Sequence, residues 1–296
     1  MRKVTWLFLA LAILYSGYWL IASRTSERGV TAWFDARAAQ GWQSDYATLE
    51  THGYPLNLET TLTDIAMADP ATGLAYQTSR VSITSRSFTP TRLHANLAQD
   101  ARLSTPFQHI DFVNKSAKGT LFVEVGSALT MHRATFDFEG LTATSTLGWG
   151  FSLDSATASA VRHEDNRLAH DVSVSIANLA PSASMMAQLN PNGILSDSFD
   201  AMTIDASVTF DKDWDITALE GPRPQPTHVL LRNMTATWGA LDLRIAGEFD
   251  VDARGFPNGR IAIKATNWRE MITLSAAAGI IPKNFESLAL RGGEML

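Results

Sequence analysis

A two-residue alternation of apolar and polar side chains recurs through most of this chain, and it sharply limits the folds open to it. Ile204-Asp205-Ala206-Ser207-Val208-Thr209-Phe210 sends Ile, Ala, Val and Phe to one side and polar residues to the other. That is the pattern of a half-buried strand, not of a helix. Leu241-Asp242-Leu243-Arg244-Ile245, Val172-Ser173-Val174-Ser175-Ile176 and Thr135-Phe136-Asp137-Phe138-Glu139 repeat it. Further strands are expected over Leu56–Ala68, Tyr76–Ser85, Thr120–Val125, Ser152–Arg162, Val229–Thr237 and Gly259–Thr266. Turn chemistry separates them at Asp69-Pro70, Gly221-Pro222 and Gly255-Phe256-Pro257-Asn258-Gly259. Helical spacing in the body is confined to Ser184–Leu189 and Trp268–Ala278, the second behind Thr266-Asn267 as a cap. The fold class is therefore mainly β, a large antiparallel sheet with a few short helices.

The alternation is one-sided, and that has a physical consequence. A sheet with one apolar face must cover it or lose most of the burial that stabilises it. Two short helices cannot cover about a dozen strands. The sheet either closes into a sandwich or barrel, or leaves an open groove that accepts an apolar ligand. The stretch EGPRPQP, within 219–227, is the most linker-like in the chain. It reads as a long loop inside one continuing sheet, with a domain boundary there as the alternative.

The amino terminus obeys a different pattern. Val4 to Ala22 is an uncharged run of 19 residues, which as a helix spans about 28 Å, close to the thickness of a bilayer's hydrocarbon. Trp6 near one end and Tyr15, Tyr18 and Trp19 near the other suit interfacial aromatic belts. A cleaved secretory signal is the competing reading. The run is longer than such signals need, and the bulky Leu20-Ile21-Ala22 offers no small-x-small site. Residues 1–22 are accordingly read as an uncleaved anchor and 23–43 as a juxtamembrane segment. Within that segment Thr31–Gly41 forms a short helix stopped by Gly41. Residues 44–296 make the β domain. Arg2 and Lys3 precede the run and Arg24 and Arg28 follow it, so charge alone biases orientation only slightly. A long acidic body without cysteine behind such an anchor is expected on the periplasmic side of the inner membrane. At the other end, Arg291-Gly292-Gly293-Glu294-Met295-Leu296 reads like the opening of one more strand.

Composition closes several functional classes. Removing Arg2 and Lys3 from the formal charge of −6 leaves the rest of the chain at −8, with basic residues scattered. Nucleic acid is excluded as a partner, because phosphate binding rests on a concentrated basic surface. The absence of cysteine excludes disulfides, thiolate metal sites, iron–sulfur clusters and a cysteine nucleophile. No HExxH, nucleophile elbow, Walker glycine loop or dinucleotide fingerprint occurs. No cofactor is implied, and the chain is read as a non-enzyme.

The remaining chemical candidates have structural readings beside them. His163, Asp165, His170 and Asp171 crowd the segment RHEDNRLAHD. A two-residue turn at Asp165-Asn166 would set Glu164 opposite Arg167 and His170 opposite Val161. His163 would then face Leu168, and the cluster is a charged hairpin tip, not a metal site. Gly53-Tyr54-Pro55 reads as a structural turn. Trp42, Trp149, Trp214, Trp238 and Trp268, with Tyr54, could line an apolar groove, against the alternative of core or edge packing.

Particular residues carry a family resemblance. After the anchor come Gly41-Trp42, then His52-Gly53-Tyr54-Pro55-Leu56, Leu62-Thr63-Asp64 and Asp69-Pro70. Later come Gly247-Glu248-Phe249-Asp250-Val251-Asp252, Gly255, Gly259-Arg260-Ile261 and Asn267-Trp268. Together these resemble a bacterial envelope family, domain of unknown function 2125, and more loosely the end of AsmA-like envelope proteins. The shared residues are turn and strand residues, so they report fold. The AsmA-like likeness implies an anchored, curved β-sheet associated with envelope biogenesis and lipid movement. The expected partners are thus the inner membrane, phospholipid, or another envelope protein. The expected role is lipid binding, shielding or transfer, with a closed structural or protein-interaction module as the alternative.

Overall fold

The computed structural model describes residues 2–190, 193, 195–277 and 281–294. It opens with a single helix, α1 (Arg2–Ala39). The separate juxtamembrane helix expected from Thr31 is instead the last part of this continuous one. The physical reason is that nothing between Ala22 and Thr31 breaks a helix: there is no proline, and Gly29 is the one glycine. Ser16 and Thr25 turn their hydroxyls back to the carbonyls of Ala12 and Ile21, at 2.7 and 2.8 Å, so the polar side chains are satisfied within the helix. Gly41 is the stop, as the sequence predicts. It sits at φ +90°, Gly41 N–H donates to Ala38 O and Trp42 N–H to Arg37 O, the paired bonds of a Schellman ending. Among the described residues α1 is the one helix long and apolar enough to cross a membrane.

The strands form one antiparallel sheet of 15. A sandwich needs a second sheet, and the described residues supply none. The chain divides into two compact units, Met1–Phe112 with Ser116–Phe122, and Val113–Lys115 with Val123–Leu296. The loop at 219–227 lies inside the second.

In the first unit, β1 (Gln43–Asp45) and β2 (Thr48–His52) pair in succession with one edge of β3 (Asn57–Asp69). β4 (Leu74–Arg86) takes its other edge. Beyond β4 lie β5 (Thr89–Leu97) and β6 (Asp100–Ser104), with β7 (His109–Val113) on β6 and β8 (Ser116–Val123) on β5. Helix α1 covers β1, β2 and β3. Phe34 packs on Leu62 and Ile65, with Val30, Trp33, Tyr46 and Leu49 around them. Ser26 meets Thr60 at 2.8 Å, and Glu27 accepts the Thr51 amide at 2.9 Å. Lower on the helix, the turns at the ends of the strands grip it. Tyr15 donates to Pro55 O, Tyr18 to Ser87 O and Trp19 to Asn57 O, at 2.6, 2.7 and 2.8 Å.

The second unit is an up-and-down meander. Its strands are β9 (Met131–Ser145), β10 (Gly150–Arg162), β11 (Ala169–Pro181), β12 (Phe199–Phe210), β13 (Pro226–Trp238), β14 (Leu241–Val251) and β15 (Pro257–Thr266). Each pairs with its successor. Short helices interrupt or follow it: α2 (Ala183–Leu189), α3 (Thr217–Glu220), α4 (Trp268–Ala277) and α5 (Lys283–Gly293). The expected terminal strand from Arg291 is overturned here. Arg291–Gly293 close α5, an amphipathic helix begun after Pro282, and Met295-Leu296 lie outside the described residues.

Candidate functional site

The register of the second unit lays apolar residues side by side across seven strands. The central row is Phe136, Ala158, Val174, Ile204, Met234, Ile245 and Ile263. Parallel rows run from Phe138 to Ala265 on one side and from Ala134 to Ile261 on the other. A bulge keeps the face continuous. β13 carries an extra residue between Leu231 and Met234 relative to both neighbours, so Leu231 and Met234 stay on the same side. The reverse face is polar: Ser159 meets Ser173, Thr203 meets Thr235, and Arg232 holds both Asp171 and Asp205.

This apolar face is not a closed core. Of its three rows only Ala206 is buried. Phe136 is 49% exposed and Ile263 67%. A sealed interior would bury such side chains almost completely.

One end of the face deepens into a cavity of about 330 Å³ lined by Phe199, Ala236, Trp238, Leu243, Met271 and Leu274. Ala236 and Leu243 belong to the apolar rows, so the cavity continues the face under α4. Trp238 is its anchor. It is buried, its ring lies 4.5 Å from that of Phe199, and its indole N–H donates to Ser196 O at 2.7 Å.

The opposite end is polar. His170 and Arg162 are cross-strand neighbours there. His170 is 1% exposed, packs edge-on to Phe210, and neither ring nitrogen makes a well-formed hydrogen bond among the described residues. Burial pushes its pKa below the ordinary imidazole value, and the Leu168 backbone only partly offsets this. Arg162 is paired with Glu124 while its other terminal nitrogen is buried without a partner among the described residues.

The expected hairpin register is corrected by one residue. Arg162, not Val161, stands opposite His170, and Val161 faces Asp171. The loop is longer than two residues because Asn166 organises it: its side chain accepts the Leu168 amide and its carbonyl the Ala169 amide. His163 then turns to Asp171 at 3.1 Å and Ser207 at 3.3 Å, both through Nε2. A catalytic relay needs the acid and the hydroxyl on different ring nitrogens, so this constellation is not one. Burial works to raise the Asp171 carboxyl, but His163 and Arg232 hold it below its ordinary value. Among the described residues no three His, Asp or Glu side chains gather as ligands for one ion.

The six aromatic residues singled out from sequence do not converge. Trp42 and Tyr54 belong to the first unit and the other four to the second. Trp42 closes the end of α1 through its amide, and Tyr54 packs edge-on against Trp19 at 5.5 Å. Trp149 contributes its carbonyl to the β9–β10 turn, and Trp214 packs edge-on against Phe210 at 5.5 Å. Trp268 begins α4 with Arg269 over its ring. Only Trp238 lines the cavity. Phe199, Met271 and Leu274, which sequence reasoning missed, line it with Trp238. The alternation of β12 and the helical spacing after Asn267 were the available signals, but not the way those elements meet.

Residues 19–296 match a family described as an uncharacterized protein conserved in bacteria, DUF2125. The chain belongs to this family. The DUF2125 match begins at Trp19, the α1 residue that donates to β3, so of the helix residues that the turns grip it takes in that one. Two of the DUF2125-like glycines have a packing reason. A Cβ on Gly247 would stand 2.6 Å from Arg260 O, and one on Gly259 2.1 Å from Glu248 O. No curated protein and no solved structure matches the chain.

Proposed function

We propose that this protein is a non-enzymatic, inner-membrane-anchored protein with its body on the periplasmic side. It binds, shields or transfers phospholipid, in the manner of the AsmA-like proteins its sequence loosely resembles. The observation that carries this reading is the seven-strand apolar face, partly exposed across its middle, most exposed at its edge strands and ending in an apolar cavity. Leaving such a surface to water forgoes roughly 25 cal/mol for each Å². Faces of that extent mark a binding surface. Acyl chains are the fitting occupant because α1 in the same chain is built for a bilayer, where they are the abundant apolar material.

Neighbouring residues on opposite faces provide the test. A photoreactive phenylalanine analogue is placed in the full-length chain at Val174 or Ile204 on the apolar face, and at Ser175 or Asp205 on the polar face. After illumination in cells, phospholipid adducts are expected at the first two positions and not at the second two. Protein adducts at Val174 and Ile204 in place of lipid would convert the reading to a protein-interaction module. Equal labelling of both faces would also defeat it.

A further inference from the structure

We propose that the helix-gripping end of the first unit lies in the interfacial layer of the bilayer and holds the phosphate of a phospholipid headgroup. The proposal begins with depth. The apolar run ends at Ala22, and Tyr15 lies about 10 Å inside that end along the helix. Yet Tyr15, Ser16, Tyr18 and Trp19 are the α1 residues that the two strand-end turns hold. The buried Ser87 ties those turns together, its hydroxyl donating to Pro55 O and its amide to Leu56 O, both at 3.0 Å. The turns therefore sit level with the anchor's outer end, where tyrosine and tryptophan favour the membrane–water boundary.

What the turns present fits that depth. Tyr54, Leu56 and Phe88 are 55%, 62% and 60% exposed. Three large apolar side chains at strand ends are costly in water and favourable in an acyl boundary.

Behind this lip lies a cavity of about 710 Å³, lined among others by Asn57, Arg86, Phe88, Thr89, Arg92 and His94. Phe88 belongs to both lip and cavity. Among the described residues no carboxylate lines the cavity, and Glu59, opposite Thr84 on β3, is not part of it. Arg86 and Arg92 lie over the rings of Phe88 and Phe122 and make no ion pair with a carboxylate among the described residues. Two such arginines lining one cavity in an acidic chain call for an anion, and their planar forks match phosphate. At the bilayer surface that phosphate is supplied at high local concentration by the lipids themselves. The proposal deepens the lipid reading above but rests on α1 and the first unit alone.

The chain has no cysteine, so single cysteines report cleanly. Leu56→Cys, Phe88→Cys and, in the β3–β4 turn, Ala71→Cys are labelled with an environment-sensitive fluorophore. The full chain is reconstituted in phosphatidylethanolamine/phosphatidylglycerol vesicles carrying nitroxide-labelled acyl chains. Quenching is expected at positions 56 and 88 and not at 71; position 56 and 88 signals as unquenched as that of 71 would overturn the proposal. Native mass spectrometry of the detergent-solubilised chain then follows titration with phosphatidylglycerol. Arg86→Gln/Arg92→Gln is expected to weaken retention about tenfold, with Arg86→Lys/Arg92→Lys between it and wild type and circular dichroism unchanged. Equal retention by wild type and the Gln variant overturns the phosphate site. Inorganic phosphate at millimolar level is expected to compete only weakly; full displacement of the lipid by it would mean a free-phosphate site instead. Lipid adducts at Val174 report the second unit's face, so either reading can fail without the other.

Discussion

At the scale of residues, His170 is the most informative side chain. It sits fully buried at the polar end of an otherwise apolar face, with its pKa held below the usual value. The folded protein keeps it neutral where the unfolded chain would protonate it. Between the depressed folded value and about 6.5 the unfolded state therefore binds more protons, and stability rises with pH. His170's contribution is full above about pH 6.5 and is lost as pH falls towards the folded value. The groups acting on it, Arg162, His163 and Asp213, include one other imidazole, so a control is needed. Melting temperature is expected to fall from about pH 7 to about pH 5, and His170→Leu to flatten that slope while His163→Gln leaves most of it. A slope unchanged in His170→Leu would assign the effect elsewhere. The sequence flagged this segment and its charged-tip character but misplaced the pairing. Whether a hairpin closes over two residues or more turns on one side-chain bond, that of Asn166 to the Leu168 amide, and composition does not encode it.

At the scale of elements, the long alternating strands were legible except β5 (Thr89–Leu97), and the shortest ones were not. β9 to β15 carry enough repeats for a two-residue period to stand out. β1, β2, β6 and β7 are three to five residues long, too short for any period, and their pairing with β3, β4 and one another is a tertiary choice. The continuity of α1 was hidden for a related reason. Its apolar pattern changes past Ala22, where it begins to pack on β2 and β3, while the backbone simply continues. Two glycines test this view with opposite signs. Gly29 lies inside α1, where an added methyl would have nothing within 4 Å, so Gly29→Ala is expected to stabilise the full chain by about 0.5–1 kcal/mol. Gly259→Ala is expected to destabilise, because its methyl would meet Glu248 O and Phe249 on β14 and the two strands would have to part. Denaturant midpoints in detergent, with unchanged slope, measure both. A destabilised Gly29→Ala would mean that α1 is not regular through that point.

At the scale of the whole molecule, the sequence carried the one-sidedness of the sheet and the shortage of helices to cover it. It did not carry the choice between closure and an open face, because that depends on pairings between residues far apart. Within the second unit particular neighbours bear on it: Val174 stands between Ala158 and Ile204, in a row where Ile263 remains two-thirds exposed. A charge placed there separates the two cases by energy. In a sealed core, an aspartate at position 174 would be an unpaired buried carboxylate costing several kcal/mol, enough to unfold a domain of ordinary stability. On a partly exposed face the carboxylate keeps part of its water, and the loss is the burial and strand preference of one valine, about 1–2 kcal/mol. Val174→Asp is therefore expected to fold, with a denaturant midpoint lowered by that amount and a native far-ultraviolet spectrum. Ser175→Asp, on the polar face beside it, should change stability by less than about 0.5 kcal/mol. Failure of Val174→Asp to fold while Ser175→Asp folds normally would mean that the face is sealed in solution. A folded Val174→Asp that no longer yields phospholipid adducts from an analogue at Ile204 would place the acyl chains on the same row.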